Sequence, residues 1–232
     1  MSPQPRFFSS QVILAVFFFV VAGPFLPLLI TWRWSWWQAW IYGLLGLLSF
    51  VISRALAARR HPDLLIERSR MMQQEDAMSW DKILVPMIGL GAILVPLVAG
   101  LDVRYDWSPS VNLPAKNFAL AAIVAGYALS SYALIENRFF SGMVRIQTER
   151  GHKLVSRGPY AWIRHPGYSG ALLTYLATPL FLDAYWSFLP AVFIAMVLVI
   201  RTSLEDQTLQ AELQGYHEYA LRVRYRLLPG VW

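Results

Sequence analysis

Long apolar runs constrain this chain more than any other feature of its sequence. Four of them lie at about residues 7 to 30, 36 to 53, 83 to 101 and 117 to 136. Each is close to the roughly 17 to 25 residues that an α-helix needs to cross a bilayer core. The chain is 56% hydrophobic and only 15% charged, with a mean hydropathy of +0.43, which is too apolar for a soluble domain. We therefore predict an all-α, polytopic integral membrane protein.

The number of spans depends on residues 168 to 200, which are apolar but interrupted at Leu182, Asp183 and Ala184. The two arms of about 15 to 17 residues are marginal for spanning, so a tight helical hairpin and two short, tilted spans both stay open. We expect about five to six transmembrane helices in all, followed by a C-terminal cytoplasmic helical segment. The first apolar run follows Arg6 and lacks a small-residue cleavage pattern after it, so we interpret it as a retained span.

Basic residues lie mostly on one side of these spans. With the N-terminus inside, the segments 1 to 6, 54 to 82, 137 to 166 and 201 to 232 hold 17 of the 20 lysines and arginines. The positive-inside rule then places these four segments in the cytoplasm. The net charge of +6 reflects orientation and anionic headgroups rather than nucleic acid.

Two of the cytoplasmic segments are more than connectors. Residues 54 to 79 mix apolar and basic side chains and are broken by His61 and Pro62, which predicts a segment that lies in the membrane interface. The C-terminal segment has a helical composition up to Gly215 and again from about residue 217 to 224.

Ionisable residues gather at the predicted cytoplasmic ends of the spans. Placing an ionisable side chain in a membrane costs free energy, so such residues are functional candidates. They form four groups: Glu136 to Arg138, His152 to Tyr168, Arg201 with Glu205 and Asp206, and Tyr216 to Arg226. In this topology all four groups can meet in one pocket at the membrane surface. Each also has a purely structural interpretation, since Arg201 and Glu205 can form a surface pair four residues apart on a helix, and Arg164 can contact lipid phosphate.

Several kinds of site find no support in the sequence. The chain has no cysteine, which removes disulfides, thiolate zinc sites and a cysteine nucleophile. His152 and His165 with Glu205 and Asp206 lack the spacing of a compact ligand set, so we expect no metal. Neither GxGxxG nor a P-loop occurs, so any nucleotide-like cofactor must be bound by residues outside these two motifs.

A combination of motifs in the C-terminal part resembles a known family. GHKLVSRGPYAWIRHPGYSG, residues 151 to 170, is followed by three further elements: Arg201 with Glu205 and Asp206, Gly215-Tyr216-x-x-Tyr219, and Arg226-Leu-Leu-Pro229. Together they resemble the isoprenylcysteine carboxyl methyltransferase family, which is similar to phospholipid N-methyltransferases and sterol-reductase-like membrane enzymes. The resemblance covers roughly residues 136 to 232.

The resemblance implies an integral membrane enzyme whose C-terminal half encloses S-adenosyl-L-methionine at the cytoplasmic face. It implies cofactor binding by the residues that match the family's motifs: His152, Leu154, Val155, Gly158, Tyr160, His165, Pro166, Tyr168, Glu205 and Asp206. Asp206 departs from the family, which more often has a second Glu there. We accordingly divide the chain into N-terminal transmembrane helices, 1 to 135, and a C-terminal catalytic region, 136 to 232.

The chemistry of methyl transfer suits these residue types. Carboxylates are suitable partners for a donor that carries a sulfonium, an ammonium and a ribose diol, and the transfer needs alignment and exclusion of water rather than a metal. A carboxylate acceptor is already ionised, so Arg164 or Arg201 would only orient it. An amine or thiol acceptor must lose a proton, which Glu136, His165 or Tyr219 can take.

The predicted function is therefore S-adenosyl-L-methionine-dependent methylation of a lipophilic or amphipathic acceptor, foremost carboxyl O-methylation of an isoprenylcysteine-like molecule. The catalytic candidates are Arg164, Arg201 and Glu136. Phospholipid N-methylation and thiol S-methylation stay open, and an NADPH-dependent sterol-reductase-like enzyme is a more remote alternative. A transporter would place polar residues along a path through the bilayer instead of at one face. The expected partners are membrane lipids and the acceptor, without nucleic acid or metal, and the compact chain suits a prokaryotic inner membrane.

Overall fold

The computed structural model describes Leu14 and residues 16 to 232. The part of the predicted first span that precedes them lies outside the described residues. Within the described part of the chain every regular element is a helix, in this order: α1 (Phe17–Thr31), α2 (Trp37–Arg60), α3 (Pro62–Ser69), α4 (Asp81–Arg104), α5 (Leu113–Glu136), α6 (Pro166–Phe181), α7 (Phe188–Glu212) and α8 (Tyr216–Arg222). Short 3-10 turns lie at Met71–Gln73, Thr148–Arg150, Gly158–Ala161 and Tyr185–Ser187.

The prediction of an all-α, polytopic membrane protein is confirmed. Among the described residues, four apolar helices are long enough to cross a membrane, namely α2, α4, α5 and α7 together with the turn before it. The helix α1 is apolar but shorter, and α6 has 16 residues. Large apolar side chains on these helices face outward, Phe118 and Leu189 among them, as expected where lipid is the solvent.

The interruption near Asp183 is a turn between α6 and α7. Asp183 has a φ of 56°, and its carboxylate accepts a hydrogen bond from the backbone N–H of Val111 at 2.6 Å. Lys116 of α5 pairs with the same carboxylate at 2.6 Å. The segment from 168 to 200 is therefore two separate helices, joined by a turn that is held to the start of α5.

The predicted interfacial segment begins within a helix. Residues 54 to 60 continue α2, because alanine, leucine and arginine are strong helix formers whatever their charge. The helix breaks at His61, and Pro62 opens the separate helix α3, as the missing N–H of proline requires.

Small residues let α5 and α6 pack closely. A Cβ added to Gly126 would come within 2.3 Å of Thr174 Oγ1 and 2.5 Å of the carbonyl oxygen of Gly170. The hydroxyl of Ser130 donates to the carbonyl of Gly167 at 3.0 Å. Such close backbone approach is a common basis of helix association in lipid, and here it fixes the start of α6 beside the end of α5.

The ends of four helices meet on one side of the bundle: the last turns of α2 and α5, and the first turns of α4 and α6. We call this side the motif end, because the sequence motif from residue 151 to 170 lies there. Arg60 and Glu136 form an ion pair across it at 2.8 Å. This is the side that the distribution of basic residues predicts to be cytoplasmic.

Candidate functional site

The motif folds into a turn followed by a helix start. Gly158 has a φ of 59°, and a Cβ there would lie 3.0 Å from Tyr132 Oη and 3.1 Å from Glu136 Cγ, so both the backbone angle and the space require glycine. Pro166 occupies the first turn of α6, where its missing N–H is tolerated. Pro166 therefore starts this helix.

The chain just before Pro166 is tied to the C-terminal segment. The backbone N–H groups of Arg164 and His165 donate to the carbonyls of Tyr225 and Arg226, each at 2.9 Å. Ser169 Oγ donates to the carbonyl of Leu227 at 2.7 Å. These bonds bring the C-terminal residues, which are 58 positions away in the case of Leu227, against the motif.

A cavity opens at the motif end between the segment after α5, the motif, α7 and α8. It encloses about 790 Å³, counted out to its open mouth. Nine residues predicted from the sequence line it: His152, Leu154, Val155, Tyr160, Arg164, His165, Tyr168, Arg201 and Glu205. The other predicted residues, Glu136, Gly158, Pro166 and Asp206, are not part of the lining. The structure thus brings most of the predicted set together around one space.

Glu205 is the carboxylate that faces this cavity. The hydroxyl of Tyr168 donates to Glu205 Oε2 at 2.5 Å. The Tyr168 ring is stacked on that of His165, with centroids 5.8 Å apart and planes 6° apart, and the guanidinium of Arg201 lies 5.2 Å from its centroid. Tyr168 therefore fixes the position of the carboxylate from one side.

Arg201 is held by a carboxylate that the sequence analysis did not single out. Asp81, at the first residue of α4, is fully buried and accepts from Arg201 Nε at 2.7 Å and Nη2 at 2.8 Å. Asp81 also accepts from the backbone N–H of Val144 at 2.7 Å. The sequence shows only that Asp81 is an acidic residue at the start of a span. It does not show that its partner, Arg201, lies 120 positions away.

Asp206 points away from the cavity into a dense set of donors. Its carboxylate has no exposed surface and accepts from Arg164 Nε at 2.8 Å and Nη2 at 3.0 Å, from Arg226 Nε at 2.9 Å and from Tyr216 Oη at 3.0 Å. His165 Nε2 lies 3.3 Å from Asp206 Oδ1. We call these five residues the Asp206 network. It joins the motif to α7 and α8.

Arg164 is committed to this network and to the backbone. In addition to the bonds with Asp206, its Nη1 donates to the carbonyls of Ala220, Val223 and Arg224 at 3.0 to 3.2 Å. Its predicted role in orienting an acceptor stays a prediction. What the geometry shows is a guanidinium that holds the C-terminal residues to the motif.

Glu136, the remaining catalytic candidate, lies between two arginines. It pairs with Arg60 at 2.8 Å and with Arg157 at 2.5 Å, and only 6% of its side chain is exposed. Its predicted role as a proton acceptor also stays a prediction.

His152 is a neutral, partly buried imidazole in the cavity wall. Its ring stacks on Phe139 with centroids 4.5 Å apart, and the backbone N–H of Gln147 donates to Nδ1 at 3.3 Å. Burial, assisted by the charges of Arg150 and Arg145, lowers the pKa of His152 to about 4. At neutral pH its proton is therefore on Nε2, which makes that nitrogen a hydrogen-bond donor.

Much of the remaining wall comes from the segment after α5 and from the end of α7. These lining residues include Asn137, Phe139, Phe140, Ser141, Gln147, Leu209 and Leu213. Tyr160 is fixed among them, since Tyr219 Oη donates to its carbonyl at 2.7 Å and Asn137 Nδ2 donates to its hydroxyl at 3.3 Å. Within the described residues no group of three or more metal-ligating side chains occurs.

Comparison with known proteins identifies the part of the chain that builds this cavity. Residues 119 to 211 match the model of the isoprenylcysteine carboxyl methyltransferase family. This part of the chain is similar to that family. The match includes most of α5, the motif, α6 and nearly all of α7, and therefore both Tyr168 and Glu205.

Some of the proteins that are similar to this chain carry the name of this methyltransferase, and others do not. Protein-S-isoprenylcysteine O-methyltransferase B of Arabidopsis thaliana is 36% identical over 115 residues, which are 46% of this chain and 56% of the relative. The uncharacterized protein YpbQ of Bacillus subtilis is 32% identical over 92 residues, 39% of this chain and 55% of the relative. Delta(14)-sterol reductase TM7SF2 of Mus musculus is 33% identical over 95 residues, 40% of this chain but 23% of the relative. The chain spans about half the length of the first two.

Proposed function

We propose that this chain is a membrane methyltransferase that uses S-adenosyl-L-methionine to methylate a lipophilic or amphipathic acceptor at the cytoplasmic face. The observation that carries the proposal is the position of Glu205, which Tyr168 holds at the wall of the cavity. Both residues lie in the part of the chain that matches the isoprenylcysteine carboxyl methyltransferase family. The name of the Arabidopsis relative is that of an O-methyltransferase, in line with the same reaction here.

The side chains in the cavity fit such a cofactor. When bound, the cofactor supplies an activated methyl group on a positively charged sulfur. Glu205 offers a carboxylate to its cationic or diol groups, and the cation Lys153 in the same wall can meet a carboxylate of opposite charge. Leu154, Val155, Leu209 and Leu213 provide an apolar surface for a base.

The acceptor that these residues favour is a carboxylate. Methylation of a carboxylate forms an oxygen–carbon bond and breaks the sulfur–carbon bond, whose electron pair stays on sulfur, so no proton has to move. The three side chains predicted as bases are engaged elsewhere. Glu136 is paired with two arginines, His165 lies against Asp206, and Tyr219 donates its hydroxyl hydrogen to the carbonyl of Tyr160. Without a free base, an acceptor that needs none is favoured over an amine or a thiol.

The role of the protein is then to align the acceptor and to exclude water. Aromatic side chains contribute to this cover, because Phe139, Phe140, Tyr216 and Tyr219 all line the cavity. Tyr168 and Arg201 keep Glu205 in place, and the Asp206 network keeps α8 over the motif.

The reductase alternative has a weaker basis. The sterol reductase from mouse shares 95 aligned residues with this chain, which are 23% of its length. A reductase would bind NADPH in the same cavity, so a single comparison of ligands separates the two functions.

Calorimetry on the full chain purified in detergent tests the proposal. S-adenosyl-L-methionine and its demethylated product should bind, whereas NADPH should not. Glu205→Gln should weaken the binding of the first two by roughly 10-fold or more, as expected when a charge-assisted hydrogen bond is lost. Glu212→Gln is the matched control, since Glu212 is exposed at the end of the same helix. Binding of NADPH alone, or equal binding by both variants, would refute the assignment of this site.

A further inference from the structure

Asp81 is a buried carboxylate that lies outside the part of the chain that matches the family. It is the first residue of α4 and has no exposed surface, and it precedes the matched residues 119 to 211. Its two oxygens accept from Nε and Nη2 of Arg201, at 2.7 Å and 2.8 Å. The two side chains therefore form a bidentate ion pair, which fixes the direction of a guanidinium as well as its charge.

The other contacts of this pair attach it to the segment after α5. Asp81 also accepts from the backbone N–H of Val144 at 2.7 Å, and the carbonyl of Val144 accepts from the backbone N–H of Met78 at 3.0 Å. Nη2 of Arg201 donates in addition to the carbonyl of Gly142 at 3.1 Å. The start of α4 and the segment after α5 together determine where the guanidinium lies.

Arg201 has a second candidate partner on its own helix. Glu205 lies four residues later on α7, which is the spacing at which opposite charges on a helix pair, and the two charges are close enough to attract each other. Tyr168 contacts both side chains, because its hydroxyl donates to Glu205 and the guanidinium of Arg201 lies 5.2 Å from the centroid of its ring. A small rotation of Arg201 would therefore bring it to Glu205.

The choice of partner decides how much negative charge the cavity wall carries. Among the residues that the structure describes, Arg201 forms an ion pair with Asp81 alone, and no cation forms one with Glu205. Glu205 lines the cavity, whereas Asp81 is not part of the lining. A carboxylate that is already paired with a guanidinium attracts a cationic ligand less strongly than a free carboxylate does. By holding Arg201, Asp81 preserves the charge of Glu205 for a ligand.

We propose that Asp81 is a positioning residue that keeps Arg201 away from Glu205 and so leaves Glu205 free to bind a cationic group of the cofactor. The inference rests on the proposed methyltransferase function, and it adds a residue from the first half of the chain to the candidate site. Asp81 acts through Arg201 and does not touch the cofactor. When Asp81 loses its charge, Arg201 turns to Glu205 and neutralises it.

Calorimetric binding of S-adenosyl-L-methionine to the full chain in detergent tests this inference with second-site variants. Asp81→Asn should bind the cofactor roughly 10-fold more weakly than the wild type, as expected when a charge-assisted hydrogen bond is lost. Addition of Arg201→Gln should restore most of the affinity, because the cation that competes for Glu205 is gone. In a Glu205→Gln background, Asp81→Asn should weaken binding by about 2-fold at most, because the charge that Asp81 preserves is absent.

A matched control separates this role from a general loss of structure. Asp102 is as fully buried as Asp81 and lies near the other end of the same helix, so Asp102→Asn should bind the cofactor like the wild type. A loosened fold would weaken binding whichever residue stands at 201 or 205. A loss of affinity in Asp81→Asn that persists in both double variants therefore overturns the role of Asp81, and so does equal binding by Asp81→Asn and the wild type.

The double variant also covers the case in which Asp81→Asn alone does not fold. Together with Arg201→Gln it replaces a buried ion pair by two neutral side chains, a change that proteins often tolerate. This double variant should bind the cofactor nearly as well as the wild type, and a loss of roughly 10-fold or more would contradict the inference. A wild-type chain that binds neither S-adenosyl-L-methionine nor its demethylated product refutes the proposed function itself, and this inference with it.

Discussion

Replacing Asp206 with asparagine should destabilise the protein much more than it disturbs the cavity. The carboxylate is fully buried and accepts from Arg164, Arg226 and Tyr216. Asparagine has nearly the same shape but no charge. The guanidinium of Arg164, with 6% of its side chain exposed, would then remain buried without its counter-charge.

The size of the effect follows from this geometry. Breaking a buried ion pair by removing one partner costs about 3 to 5 kcal/mol. The asparagine oxygen can still accept one hydrogen bond, and Arg226 is 27% exposed and can recover some hydration. We therefore expect a loss near the lower limit, about 3 kcal/mol of the free energy of unfolding.

Reversible unfolding in mixed micelles measures this loss, followed by tryptophan fluorescence. Asp106→Asn is the matched control, because Asp106 pairs with Arg33 at the opposite end of the bundle with 76% and 46% of the two side chains exposed. A pair of that kind contributes less than about 1 kcal/mol. Hydrogen exchange should also rise in the C-terminal segment of Asp206→Asn. Equal unfolding free energies for the two variants would refute the structural role of the Asp206 network.

Three other predictions concern helix packing, the pH dependence of stability and the different roles of Glu205 and Asp206. Gly126→Ala should lower the free energy of unfolding by about 1 to 3 kcal/mol through overpacking, because the added Cβ would lie 2.3 Å from Thr174 Oγ1. Gly89→Ala should be tolerated in the same unfolding assay, because the nearest contact of its Cβ would be at 3.5 Å. The wild-type protein should lose stability as the pH falls from about 6.5 to about 4. The pKa of His152 is about 4 in the folded protein and 6.5 in the unfolded chain, so the unfolded chain binds more protons in that range. The decline in stability should be shallower for His152→Gln. Glu205→Gln should unfold like the wild type while it binds the cofactor less tightly, in contrast to Asp206→Asn.

The apolar runs predicted where the helices lie because length and hydropathy suffice to identify a span. The run at 83 to 101 became α4, Asp81–Arg104. The run at 36 to 53 became α2, Trp37–Arg60, whose end extends further than hydropathy indicates, since a charged helix former continues a helix as well as an apolar one. Charge therefore does not mark where this helix ends.

The site could be predicted as a set of residues but not as a set of contacts. The motif and the acidic pair identified most of the cavity wall, because their residue types and spacing resemble a family. Which of Glu205 and Asp206 faces the cavity depends on the rotation of α7 and on the partners that α6 and α8 supply. The ion pair of Arg201 with Asp81 joins two helices 120 positions apart, and no pattern in the sequence encodes it.

Transfer of an isotopically labelled methyl group tests the central claim most directly. The full chain in lipid nanodiscs is supplied with labelled S-adenosyl-L-methionine and with an amphiphile that carries a carboxylate on an isoprenoid thioether chain. The account predicts that label enters the amphiphile as an ester, from which mild base releases labelled methanol, and that Glu205→Gln slows the transfer. Label that base does not release, or no transfer although both compounds bind, would contradict it.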